Sequence, residues 1–235
     1  MRLILNGGGA GDQIKESWQL FADQVNGGKV LYIPLAWNHG GYDDCLDWFK
    51  EEVSSFGIFD IEMVTSAEQI TKEKLAGVKG VFVGGGNTYK LLKMLKDTDA
   101  FENLKEYFEN DGLVMGGSAG AIIFGYSIDT CLDDGLEIES CRDVNLVGLT
   151  DTCGFDCMNG FSILPHYKKL PGQLENTKKR VTSLLLKGFK LICLPEETSI
   201  WITENQTKII GQMQAELFDG QKSRVLSSKN VEQIF

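Results

Sequence analysis

Residues 113–121 read Leu-Val-Met-Gly-Gly-Ser-Ala-Gly-Ala, an apolar run that passes into a serine set between glycines. Gly116, Ser118 and Gly120 fit the G-x-S-x-G pattern of a nucleophile elbow, in which a serine sits on a sharp strand-to-helix turn. Only small neighbours tolerate the strained backbone of such a turn, and the hydroxyl projects past the carboxyl end of the strand. The helix that follows brings the NH of Ala119, and the local helix dipole, to the place where an oxyanion would form. A phosphate cradle or an ordinary small-residue turn has the same composition. The strand expected before Ser118 and the helix expected after it favour the nucleophile.

A neutral serine needs a base, usually an imidazole, and the imidazole needs a partner that orients it. The chain has two histidines, His39 and His166. His166 follows the apolar run 161–165, and His39 lies in a loop after a second apolar run, so both are placed at the ends of strands. A carboxylate at the end of the 191–195 run, Glu196 or its neighbour Glu197, is one candidate orienting group. Asp133 or Asp134, in the acidic stretch from 129 to 143, is the other; that stretch lacks the spacing of a calcium loop.

Two further glycine clusters, at 6–11 and 84–88, each follow an apolar run. Neither satisfies G-x-G-x-x-G, because Asp12 and Tyr89 stand at the third glycine positions, and no acidic residue ends the second strand. A nucleotide site is therefore not expected. Backbone at Gly85 and Gly86, with Asn87, is better read as lying close to a reacting carbonyl and supplying a second oxyanion NH.

These groups require a scaffold that gathers strand ends. Short Val-, Ile- and Leu-rich runs at 3–5, 30–34, 61–64, 80–83, 113–115 and 191–194 alternate with segments of helical period. Ile14, Trp18, Phe21 and Val25 share one helical face, and Cys45, Trp48, Phe49, Val53 and Phe56 share another. The alternation predicts an α/β fold with a mostly parallel sheet and helices on both faces. Beyond residue 194, alternating runs at 200–203, 207–211 and 216–218 predict antiparallel strands at the C-terminal end. No repeat or Pro-rich linker interrupts the chain, so residues 1–235 are expected to form a single domain.

Composition narrows the function classes. With 43% hydrophobic and 24% charged residues the chain reads as globular. A net charge of −10 opposes nucleic acid and anionic membrane surfaces as partners. No run approaches a membrane span and the start lacks a signal-peptide pattern, so a cytoplasmic location is expected. Of six cysteines only Cys153 and Cys157 lie close together, and two histidines are too few for a zinc set; no metal or other cofactor is expected.

The runs Gly84-Gly85-Gly86-Asn87-Thr88, Gly116-Gly117-Ser118-Ala119-Gly120-Ala121, Leu164-Pro165-His166-Tyr167 and Leu194-Pro195-Glu196 resemble, in their order, the motifs of the peptidase E family of aspartyl dipeptidases. The resemblance spans nearly the whole chain. It implies a fold like that of class I glutamine amidotransferases, Ser118 as nucleophile, His166 rather than His39 as base, and the glycine run as part of the oxyanion hole. For the triad acid it implies Glu196 or Asp133, of which Glu196, fixed at a strand end, is the better positioned. It also implies short peptides as substrates, cleaved at the amino terminus after aspartate. Here the sequence departs, because no basic residue occurs from Ala119 to Cys141 to meet that aspartate, leaving Arg142, Lys168, Lys169 and Arg180 as candidates. Alternatives are a cyanophycinase-like hydrolase acting on aspartate-containing polymers, and a non-catalytic binding module on the same scaffold. The oligomeric state is not legible in the sequence.

Overall fold

The structure, a computed structural model, describes residues 1–132, 143–167, 174–220, 222–228 and 231–232. Among the described residues, twelve strands fall into two sheets. The larger, in the order β12-β9-β8-β1-β5-β4-β2-β3, contains β1 (Arg2–Asn6), β2 (Val30–Ile33), β3 (Ile61–Met63), β4 (Gly80–Val83), β5 (Leu113–Gly117), β8 (Thr198–Thr203), β9 (Thr207–Gly211) and β12 (Val231–Glu232). Its first five strands pair in parallel, whereas β8 runs antiparallel to β1 and carries β9 and β12 outward.

Alternation along these buried strands feeds two cores. Leu3, Leu5, Leu31, Ile33, Val81, Val83 and Val114 face one. Ile4, Val30, Tyr32, Phe82, Leu113 and Met115 face the other. The second core is closed by α1 (Lys15–Val25) and α2 (Tyr42–Ser54), through Trp18, Phe21, Val25, Cys45, Phe49 and Val53. The first is closed by α3 (Lys72–Ala76), α4 (Thr88–Lys96), α5 (Ala100–Glu109) and the single turn α6 (Ala119–Ile122). The expected α/β fold, mostly parallel with helices on both faces and antiparallel strands toward the C-terminal end, is the observed one.

The 191–194 run does not join the main sheet. It forms β7 (Lys190–Cys193), which lies between β6 (Phe161–Leu164), paired in parallel, and β10 (Ala215–Asp219), itself paired with β11 (Lys222–Leu226). The free side of β1 is already taken by β8, so a second small sheet is built, with α7 (Leu174–Leu186) packed on it. The chain reverses from β7 into β8 at residues 194–198, where Thr198 donates its NH to the Pro195 carbonyl, 3.1 Å away.

Around the elbow, packing of α6 on the sheet is set by backbone contact. A Cβ on Gly116 would lie 2.3 Å from the Gly120 oxygen, and one on Gly120 would lie 2.1 Å from the Val83 oxygen. Gly120→Ala must push α6 off β4, and overpacking of this kind costs about 1–3 kcal/mol. Chemical denaturation is expected to register a loss of that size, and an unchanged midpoint would refute the close packing.

Candidate active site

Ser118 stands between β5 and α6 with φ 51° and ψ −113°. A non-glycine residue held at positive φ stores about 1–3 kcal/mol of strain, which persists only where surrounding structure enforces it. Here the enforcement comes from the glycine contacts beneath it and from its own NH, which donates to the Asn6 carbonyl at 3.3 Å. Because α6 is one turn long, the dipole expected behind the serine is small; what it offers is the NH of Ala119.

The Ser118 Oγ lies 2.9 Å from His166 Nε2, and His166 Nδ1 lies 2.7 Å from Glu196 Oε1. Both partners of the second bond are largely enclosed, their side chains 11% and 12% exposed. With the ring proton on Nδ1, donated to the carboxylate, Nε2 is left to accept from the serine hydroxyl. His166 also holds a positive φ, 55°, and its NH donates to the Gly7 carbonyl at 2.8 Å.

Residues 6–9, a cluster with no role in the sequence reading once nucleotide binding was set aside, hold all these groups together. Consecutive carbonyls of Asn6 and Gly7 accept from Ser118 and His166, while the Gly9 NH donates to the Glu196 carbonyl at 3.2 Å. The Asn6 side chain, buried, accepts from the Gly8 NH at 2.7 Å and donates to Ser199 Oγ at 3.0 Å. Side chains are excluded along this segment: a Cβ on Gly7 would lie 2.0 Å from the Pro195 oxygen, and one on Gly8 2.2 Å from His166 Cε1.

The 84–87 segment divides. A Cβ on Gly85 would approach the Ser118 Cβ to 3.3 Å, so this backbone adjoins the serine. Gly86, at φ 136°, backs onto the Ala36 carbonyl. Asn87, read in the sequence together with that backbone, caps α4 with its side chain: its Oδ1 accepts from the Lys90 NH, its Nδ2 donates to the Val144 carbonyl, and its own NH donates to the Ala36 carbonyl. The adjacent Thr88 gives its NH and hydroxyl to Asp143. Burial raises the Asp143 pKa and these bonds oppose the shift. The only sequence hint of that anchor was the acidic stretch from 129 to 143.

Asp133, Asp134, Arg142, Lys168 and Lys169 lie outside the described residues. Arg180 is buried, with its guanidinium donating to the Thr130 and Leu132 carbonyls, so it braces a loop rather than meeting a substrate. His39 is exposed and sets its ring edge-on to Trp37. Among the described residues, no group of three or more His, Cys, Asp or Glu side chains is arranged to hold a metal ion, and no helix is long and apolar enough to cross a membrane.

A cavity of about 460 Å³ opens beside Ser118. Its walls are Trp18, Tyr32, Trp37, Trp48, Phe82 and Met115, with the backbone of Gly8, Gly9 and Gly85 at its edge. The rings brace one another: Trp18 meets Phe82 at 5.0 Å, and Phe49 behind them stacks on Phe82 at 4.9 Å and lies tilted against Tyr32 at 4.5 Å. Sequence periodicity assigned Trp18 and Phe49 to core faces but gave no sign that α1, α2, β2 and β4 would leave a void between them.

Residues 3–210 match the family model of Peptidase family S51. The chain belongs to that family. This S51 member is a serine peptidase, and its curated relatives carry the name Peptidase E. The Shewanella denitrificans relative is 27% identical over 207 residues, covering 84% of this chain and 80% of the relative. The Salmonella paratyphi A relative is 27% identical over 206 residues, with 84% and 83% covered. In fold, the chain is similar to a peptidase from an acI-B1 Actinobacterium, with TM-score 0.71, 18% identity and 98% and 96% of the two chains covered. It is also similar to a protein from Listeria monocytogenes EGD-e, with TM-score 0.69, 24% identity and 90% and 98% covered.

The contact between Gly8 and the imidazole gives a test of this S51 site. Gly8→Ala must displace the His166 ring, and misplacement of about 1 Å costs on the order of 100-fold in rate. Phosphonylation of Ser118 by a fluorophosphonate is expected to slow by about that factor; an unchanged rate would refute the placement.

Proposed function

We propose that this serine peptidase cleaves short peptides at their amino terminus through an acyl-enzyme on Ser118. The observation that carries the reading is the continuous hydrogen-bonded chain from Ser118 Oγ through the His166 ring to Glu196. As Oγ bonds to the scissile carbonyl carbon, its proton passes to His166 Nε2 and the carbonyl electrons move onto oxygen. Glu196 keeps the ring oriented and stabilises the imidazolium that forms. The oxyanion is received by backbone NH groups, that of Ala119 and one from the 85–86 run; the approach of Gly85 to Ser118 supports the role.

Collapse expels the amine, which takes the proton back from Nε2. Water, activated by the same nitrogen, then attacks the ester, and its hydrolysis frees the carboxylate and restores the hydroxyl. The family relationship and the cavity beside the nucleophile support a small substrate, and a single carboxylate fixed on a strand end supports Glu196 as the orienting acid. The aspartate preference implied by the resemblance finds no matching cation among the described residues that line the cavity.

Steady-state kinetics on dipeptides test this. Ser118→Ala is expected to abolish turnover with the fold intact, and Glu196→Gln, which supports the wrong tautomer, to lower kcat by about 10³–10⁴. Retained turnover in Ser118→Ala would refute the nucleophile. Cleavage of branched aspartate–arginine polymer in preference to any dipeptide would replace the reading with the polymer hydrolase.

A further inference from the structure

The aromatic cavity beside Ser118 has no part in the bond-making steps, and its position and chemistry specify what enters it. Ser118, Gly85 and Gly117 border it, whereas His166 is not among its described walls. In acyl transfer the leaving amine must face the imidazole that protonates it. A side chain directed away from that ring, into the cavity, therefore belongs to the residue whose carbonyl is attacked.

Among the described residues the inner walls are predominantly apolar and carry no charge. Tyr32 and Cys45 are the ionisable groups of the interior lining, and burial raises the pKa of both. The one charged side chain among the described lining residues is a carboxylate, Asp44, exposed at the rim. An entering aspartate would lose its hydration to aromatic rings and approach a like charge, both unfavourable. An aromatic or long aliphatic side chain would exchange water for preformed ring faces. The indole NH of Trp37, buried without an acceptor among the described residues, can meet the face of an aromatic guest in a weak N–H···π contact.

We propose that this cavity is the specificity pocket for the amino-terminal residue of the substrate, and that it selects large apolar and aromatic side chains over aspartate. The selection rests on the acyl-enzyme reading above but adds to it, because an elbow serine with an acidic-residue pocket would have served that chemistry equally well. Its volume lies within the range of about 300–1,000 Å³ that holds whole small ligands, enough for a bulky side chain with its α-carbon.

The test is kcat/KM for dipeptides that share one second residue and begin with Phe, Trp, Leu, Met, Ala or Asp, with fluorophosphonate occupancy of Ser118 measured alongside. Phe, Trp, Leu or Met is expected to exceed both Ala and Asp by about tenfold or more, the discrimination that apolar pockets give. A preference for Asp or Ala with Ser118 fully labelled would overturn the pocket assignment and leave the serine mechanism standing. No cleavage of any dipeptide with Ser118 unlabelled would instead overturn the mechanism. A second variant reads the pocket itself: Trp48 is 41% exposed at the rim, so Trp48→Arg is compatible with folding. It is expected to shift the Phe-to-Asp ratio toward Asp by about tenfold, and an unchanged ratio would count against the assignment.

Discussion

The site depends on how the end of β1 is sewn into its surroundings. Two successive carbonyls, of Asn6 and Gly7, accept the NH groups of Ser118 and His166, and two residues later the Gly9 NH reaches the carbonyl of Glu196. Peptide geometry fixes the spacing of successive carbonyls, so the relative positions of Ser118 and His166 follow from backbone rather than from flexible side chains. Glycines at 7, 8 and 9 are required because carbonyls and an imidazole occupy the places where side chains would stand.

That arrangement also explains why the chain builds two sheets. Ser118 comes from the large sheet, whereas His166 and Glu196 follow neighbouring parallel strands of the small one. Parallel pairing of β6 with β7 brings the ends of both strands to the same side, and the β7–β8 reversal returns the chain to β1. The strain at Ser118 and the positive φ of His166 are borne by this junction, where the NH groups of Gly7, Gly9, Ser118 and His166 are all bonded to backbone carbonyls.

Much of this was legible in the residues. The elbow was legible because the serine between glycines follows an apolar run and precedes a helical one, and His166 and Glu196 stood out as polar groups ending apolar runs. Strand and helix periodicity gave the layers, since buried parallel strands are apolar throughout. Other features depend on contacts distant in sequence. The use of residues 6–9, the bracing role of Arg180 and the transfer of the 191–194 run to a second sheet are set by pairings with partners many residues away. The aromatic cavity was hidden for a related reason: the same residue types fill a core or line a void, and only the spacing of α1 and α2 over the sheet separates the two cases.

The central claim is directional: the imidazole is held with its Nδ1 proton on Glu196 and its bare Nε2 toward the serine hydroxyl. Nitrogen-15 NMR of the His166 ring in the neutral enzyme measures this directly. The account predicts a protonated Nδ1 and an unprotonated Nε2, with the preference lost in Glu196→Ala; a ring carrying its proton on Nε2 in the intact enzyme would contradict it.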